Sequence, residues 1–345
     1  MNQAAGRVSV TPMLVILSLS LLAIAVVSLT RGPMHVPAIP SLLAIGDALL
    51  GRDWSSLETY QRAVVVELRL PRTLLAVFVG ALLAQCGAVM QGLFRNPLAD
   101  PGIVGVSAGA AVGAVLAIFI APAEMSWWSV PLGAFSGGFL SSLLVYALAR
   151  GPMGTSVLVL LLAGVAIAAI AGSVIGLASY LTDDERLRDI MLWQMGSLAA
   201  ADSSRLLLVA AVFVLLALRF QYRASALNAL LLGESEARHL GINVESLKFE
   251  LVVLVAAGVG VAVAACGIIG FVGLIVPHAL RMLCGPRFQV LLPLCALGGA
   301  VLLLAADAAS RLALAPAELP VGIVTSLIGG PFFIFLLLRL RGRVL

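Results

Sequence analysis

Apolar runs recur along this chain from Met13 to Leu338, separated by short polar stretches. A helix needs about 20 apolar residues to cross a hydrocarbon core of about 30 Å. A sliding window of that length predicts passes at 12–30, 70–92, 99–120, 131–149, 156–181, 204–218, 248–268, 270–284, 290–306 and 321–340. Only Gly267, Gly270 and Gly273 part the seventh pass from the eighth, so nine or eleven passes also fit. The expected fold is an all-α polytopic membrane protein with about ten transmembrane helices. Residues 1–345 then form one transmembrane domain, with 219–248 as its longest cytoplasmic loop.

Orientation follows from the polar stretches. With ten passes both termini share a side, and Arg339, Arg341 and Arg343 place that side in the cytoplasm by the positive-inside rule. Inside loops then carry more Lys and Arg than Asp and Glu, and outside loops the reverse. Arg7 ahead of the first run, with Ala23-Ile-Ala25 inside it, also resembles a cleavable signal peptide. The run of about 17 residues is long for such a segment, which favours its retention as a helix.

Composition agrees. Of 345 residues 61% are hydrophobic and 11% charged, and the mean hydropathy is +1.12. Soluble domains carry about 25% charged residues, so a soluble enzyme is excluded. The net charge of +4 comes from scattered basic residues that form no block with interleaved aromatics, which argues against nucleic acid. Cys86, Cys266, Cys284 and Cys295 lie in apolar runs without a C-x-x-C pair, and read as small buried hydrophobes rather than as a disulfide framework or zinc site. His35, His239 and His278 lack metal-ligand spacing.

Two patterns concern helix packing. Gly109-x3-Gly113 and Gly133-x3-Gly137 have the spacing that lets helix backbones approach. Val79, Gly80, Ala84, Cys86, Gly87, Pro97 and Ala99 recur in step as Val259, Gly260, Ala264, Cys266, Gly267, Pro277 and Ala279. That pairs the second pass with the seventh, the odd offset of an inverted-topology repeat seen in transporters. Pro277 falls inside the eighth pass, however, whereas Pro97 lies in a connector.

A pump needs an energy source. There is no G-x4-G-K-[S/T], and Lys248 is the only lysine, so the chain is not a P-loop ATPase. Ion-coupled carriers usually place ionisable groups at mid-membrane, and here only Asp307 approaches that position. Energy from a partner protein is the better reading, with an ion-coupled secondary transporter as the alternative.

Four stretches carry candidate chemistry. In the loop 219–248, Glu234 to Leu240 is helix-compatible: Glu234 and Glu236 suit its positive end, Gly241 a left-handed stop and Asn243 the cap of a following helix. Ala237 and Leu240 form a small apolar face, fit either to enter a partner's groove or to lie on the membrane surface. The connector at 94–102 holds Asn96-Pro97 and Asp100-Pro101, and is either a plain turn or a gate, because irregular backbone at membrane depth lines cavities. Thr155 and Ser156 are caps or part of the same gate. Outside, Arg69 and Arg72 stand at the head of the second pass and Arg311 follows the ninth, as lipid anchors or as docking groups. The loop 182–193, with Met191, Trp193 and nearby Met195, fits an entrance for a planar ligand or an interfacial aromatic.

The words RLPRT (69–73), GAVMQGLFRNPLADPGIVGVSAGA (87–110), LLLAGVA (160–166), GESEARHLG (233–241), GFVGLIVPHALR (270–281) and AELPVGIVT (317–325) resemble the permease family of ABC importers for cobalamin, ferric siderophores and haem. LWQMGSL (192–198), with the NPLADPGIVGVSAGA run, is most similar to bacterial haem permeases. The resemblance spans about 65–340. It implies a type II importer architecture in the bacterial inner membrane: a homodimer of ten-helix subunits with both termini cytoplasmic, two cytoplasmic ATPase subunits, and a periplasmic substrate-binding protein. The substrate it implies is haem, or else a ferric siderophore or cobalamin, with ATP used by the partner subunit and no cofactor held permanently. Matched by motif, Asn96 and Leu98 resemble cytoplasmic-gate residues, with Thr155 and Ser156 beside them in a stretch whose length departs from the family's. Gly233, Glu234, Ala237, Leu240 and Gly241 belong to the segment that resembles the coupling helix. Arg69, Arg72 and Arg311 resemble the arginines that meet the binding protein, and Arg188 resembles a pathway arginine suited to a haem propionate.

Overall fold

Backbone polar groups in hydrocarbon must bond to one another, so the apolar runs fold as helices. The computed structural model describes residues 8–32, 34–152 and 154–344. Arg7 lies outside them, as do the side chains of Arg339, Arg341 and Arg343. In chain order the helices are α1 Val10–Thr30, α2 Ala38–Leu50, α3 Thr59–Leu93, α4 Val106–Ile120, α5 Ser126–Ala149, α6 Val157–Leu181, α7 Asp184–Gln194, α8 Ser203–Leu232, α9 Glu234–His239, α10 Val244–Cys266, α11 Val272–Cys284, α12 Phe288–Leu312 and α13 Val321–Val344. A two-residue hairpin pairs Arg150–Gly151 with Gly154–Thr155.

Among the described residues seven helices are long and apolar enough to cross a membrane: α1, α3, α5, α6, α8, α10 and α12. The other three expected passes are the shorter apolar helices α4, α11 and α13. Each of the ten expected passes thus has its helix. The boundary between the seventh and eighth lies at Gly267–Phe271, where Gly267 and Phe271 both adopt positive φ and end the helical path.

Hydropathy misplaced several ends, because charge stops an apolar run without stopping a helix. α8 continues to Leu232, so 219–232 is helix rather than loop, and only 233–243 connects it to α10. Arg219 and Arg223 on this extension pair with Glu250 of α10, at 2.6 Å each. α3 begins at Thr59, and its first turns include a π-helical stretch at Val64–Arg69. The stretch 182–193 is almost wholly helical as α7, capped by Asp183. α2 corresponds to no expected pass; its end is fixed by Asp47, which accepts the Trp54 and Ser55 N–H groups at 2.8 and 2.9 Å.

α3 is the central helix, with most of its side chains buried. Glycine lets its neighbours touch it: a Cβ on Gly80 would collide with the Gly299 carbonyl of α12, and one on Gly87 with the Gly273 carbonyl of α11. The two G-x3-G pairs meet each other, Gly109 against Gly137 and Gly113 against Gly133, and this contact fastens α4 to α5. The sequence repeat does not extend to backbone shape, since Gly87 is mid-helix where Gly267 ends one.

Candidate functional site

The candidate residues gather at the two ends of the bundle. At the end formed by the head of α3 and the tail of α12, Arg69, Arg72 and Arg311 converge. Asp307 is fully buried one turn before Arg311 and receives Arg72 Nε on Oδ1 at 2.9 Å and Arg311 Nε on Oδ2 at 3.0 Å. Arg72 also reaches Glu318 at 2.7 Å. Arg311 Nη2 donates to Ser28 Oγ at 2.7 Å, and that hydroxyl meets Thr73 Oγ1 at 2.7 Å. Arg69 donates to the carbonyls of Leu29 and Met34 at 3.1 and 2.5 Å.

These contacts pair all three arginines within the bundle. Arg69 and Arg311 are 6% and 4% exposed, and they seal the end of α1 against α3 and α12 by satisfying carbonyls that α1 leaves open. Arg72 alone keeps a partly open face. Asp307 was notable in sequence only as a carboxylate inside an apolar run; its partners at i+4 and across the fold explain why it is tolerated there. A 380 Å³ cavity lies over this cluster, bounded by Met34, Leu68, Arg72 and Glu318 among others.

Residues 94–105 fold back into the bundle between α3 and α4. Ala99, Pro101 and Val104 are buried, Pro101 packs on Gly273, and the Ile103 carbonyl lies against Gly164, two turns into α6. Asn96 is exposed and closes a local turn by accepting the Leu98 N–H at 2.9 Å. Leu98 is half-buried and lines a 390 Å³ cavity with Ile103, Phe271, Leu274 and Phe333, an apolar wall formed by the connector and the α10–α11 break. Thr155 is not in this cavity. It is buried in the hairpin, donating through both N–H and Oγ1 to Glu245 Oε2 at 2.9 and 2.7 Å. Ser156 caps α6 by accepting the Val159 N–H.

At the same end as the hairpin, the 233–241 segment is a single short helix, as expected. Gly233 and Gly241 take positive φ at its borders, and Asn243 accepts the Ser246 N–H at 3.1 Å to start α10. Its apolar pair divides: Ala237 is 0% exposed and Leu240 64%. The helix therefore holds itself to the bundle by Ala237 and presents Leu240 outward, so the two do not form one docking face. Glu234 Oε1 receives the ammonium of Lys248 at 2.8 Å. Lys248 is buried, and sequence reasoning gave it no role beyond being the sole lysine.

Arg188 is exposed on α7. On the same helix Trp193 and Asp189 line a 420 Å³ cavity with Trp127 of α5 and Arg205 of α8. Cys86, Cys266 and Cys295 are buried and unpaired. Among the described residues no group of three His, Cys, Asp or Glu is placed to hold a metal ion.

A family model described as the FecCD transport family matches residues 13–339. The chain belongs to the FecCD transport family. The hemin transport system permease protein HmuU of Yersinia pestis is 45% identical over 311 residues, covering 87% of this chain and 93% of the relative. The vitamin B12 import system permease protein BtuC of Salmonella typhimurium is 45% identical over 289 residues, covering 83% and 86%. Among solved structures, a metal-chelate type ABC transporter in an inward-facing conformation matches with TM-score 0.83 and 35% identity over 95% of this chain and 99% of that one. PsaBC from Streptococcus pneumoniae, at 16% identity and TM-score 0.53, shares the fold. As a FecCD permease the chain is the multi-pass membrane subunit of an ABC importer and not itself an enzyme, ATP hydrolysis residing in a separate subunit.

Proposed function

We propose that this permease moves haem from the periplasm to the cytoplasm as a homodimer in the bacterial inner membrane, with both termini cytoplasmic. The observation that carries the substrate is the 45% identity to a hemin permease across 93% of that protein's length. The equal identity to vitamin B12 permeases, over a somewhat shorter stretch, supports cobalamin as the second reading. His35 and His239 are exposed and His278 is buried, which fits a pathway without axial ligation. An apolar conduit that binds its cargo weakly suits release better than a ligated site does.

A second copy is supported by α6. Gly172 and Gly176 repeat the G-x3-G spacing, are exposed, and have open space where a Cβ would stand. The internal G-x3-G pairs are both consumed by each other, so this one is available to a helix of another subunit. The pathway would then run between the two copies past Leu98 and Phe333, with Asn96 at the cytoplasmic gate and Arg188 meeting a haem propionate on the outer side. The binding protein would dock over Arg72 and the cluster it shares with Arg69 and Arg311. Two cytoplasmic ATPase subunits would each grip a 233–241 segment through Leu240.

A bacterium unable to make haem tests this reading. Supplied with the permease, its ATPase and its binding protein, it should grow on external haem. Growth that is absent with haem, while the same three proteins restore growth of a cobalamin-requiring strain on cobalamin, favours the second reading.

A further inference from the structure

Lys248 is the only lysine in the chain, and it is buried at the cytoplasmic root of α10. Its ammonium contacts three separate elements. It meets Glu234 Oε1 of α9 at 2.8 Å, Glu245 Oε1 of its own helix at 3.2 Å, and donates to the Thr155 carbonyl of the hairpin at 3.0 Å. Glu245 reaches back to the same hairpin, since its Oε2 takes both donors of Thr155, and the Tyr146 hydroxyl lies 3.2 Å from Thr155 Oγ1. Arg238 pairs with the other oxygen of Glu234 at 3.4 Å, so two cations balance two carboxylates.

The backbone is shaped for this contact. Gly154 has φ +106, and a side chain there would stand 2.9 Å from Glu245 Oε1. A 500 Å³ cavity bounded by Arg150, Gly154, Asn243 and Phe249 flanks the hairpin and leaves it room to shift. An ammonium buried this deeply is tolerated only while its carboxylates stay in place. Displacing α9 alone would cost the buried ammonium its shortest carboxylate contact, leaving it Glu245 and the Thr155 carbonyl, which favours α9, the root of α10 and the hairpin moving together.

We propose that Lys248 is a positioning residue that ties the 233–241 segment to the 150–155 hairpin, so that motion imposed on the segment by the ATPase reaches the start of α6. The relay rests on the reading that 233–241 takes the ATPase. Among the described residues the hydrogen bonds that link Lys248 to the hairpin run through Thr155 and Glu245.

The test uses the whole complex with its ATPase and binding protein in proteoliposomes, measuring ATPase copurification, ATP hydrolysis and haem imported per ATP. Lys248→Met should keep the ATPase bound and hydrolysing while import per ATP falls about tenfold or more. Lys248→Arg should restore most of the coupling, and adding Glu234→Gln to Lys248→Met should bring no further loss, as expected of residues acting as one unit. If Lys248→Met does not accumulate as folded protein, Glu234→Gln alone, on the more exposed partner, should show the same fall. Unchanged import per ATP in either variant overturns the relay, as does release of the ATPase by Lys248→Met, which would make Lys248 an anchor of the fold. Leu240→Asp separates the two readings: if it keeps the ATPase bound, the docking reading falls and the relay with it; if it releases the ATPase while Lys248→Met imports normally, only the relay falls.

Discussion

Arg72 donates to Asp307 at 2.9 Å across 235 positions of sequence, and this contact holds the head of α3 to the tail of α12. Asp307 is fully buried and shared with Arg311, so removing its charge leaves two guanidinium groups facing each other at a closed site. Breaking one partner of a buried ion pair costs about 3–5 kcal/mol. Asp307→Asn should therefore lower unfolding stability in detergent by that order, measured by denaturant titration with helical ellipticity as readout. A loss below about 1 kcal/mol would show that the pairs are solvated.

The three arginines should separate in a binding-protein assay. Arg72 is the least buried of the three, but its side chain is only 12% exposed and it shares the buried Asp307, so Arg72→Ala should lower stability and also weaken capture by a few-fold in a salt-dependent way. Arg69→Ala and Arg311→Ala remove donors to backbone carbonyls and should act mainly on stability. Surface plasmon resonance at low and high salt, beside a melting curve for each variant, distinguishes them. Equal capture by wild type and Arg72→Glu would remove Arg72 from the docking surface.

Ala237 and Leu240 should part in the same manner. Leu240→Asp changes an exposed side chain and should leave the fold intact while the ATPase no longer copurifies. Ala237→Asp places an unpaired carboxylate at a 0% exposed position and should destabilise the permease itself by several kcal/mol. Copurification from micelles, read with thermal unfolding, checks both.

The glycine pairs make a further contrast. Gly113→Leu puts a side chain into the Gly133 carbonyl and should disrupt α4 against α5, lowering the melting temperature of the isolated subunit. Gly172→Leu meets open space and should leave that melting temperature unchanged while preventing dimerisation, seen as a shift from dimer to monomer mass by light scattering. A dimer that survives Gly172→Leu would place the subunit interface elsewhere.

Much of this architecture was legible because hydrocarbon admits few backbone solutions, and each apolar run carried its own helix. The G-x3-G spacings at 109–113 and 133–137 were legible as packing signals, but not as each other's partners, since nothing local pairs α4 with α5. Helix ends were the weak point: Arg219 and Arg223 look like the start of a loop, yet Glu250 neutralises them on a helix that runs on. The direction of Ala237 depends on one turn of phase in a six-residue helix, which residue type alone does not set. Lys248 stood out only by being alone. Its meaning required Glu234, Glu245 and Thr155 to be brought together by the α8–α10 connection and a hairpin some ninety residues earlier.

The most direct test of the central claim is uptake by the purified permease, ATPase and binding protein in proteoliposomes with ATP on the ATPase side. Haem, a ferric siderophore and cobalamin are each offered at the same concentration, and internal iron or cobalt is counted against time. The account predicts ATP-dependent accumulation of haem, with the ferric siderophore and cobalamin near the level seen without ATP. Accumulation of cobalamin or siderophore but not haem would contradict it.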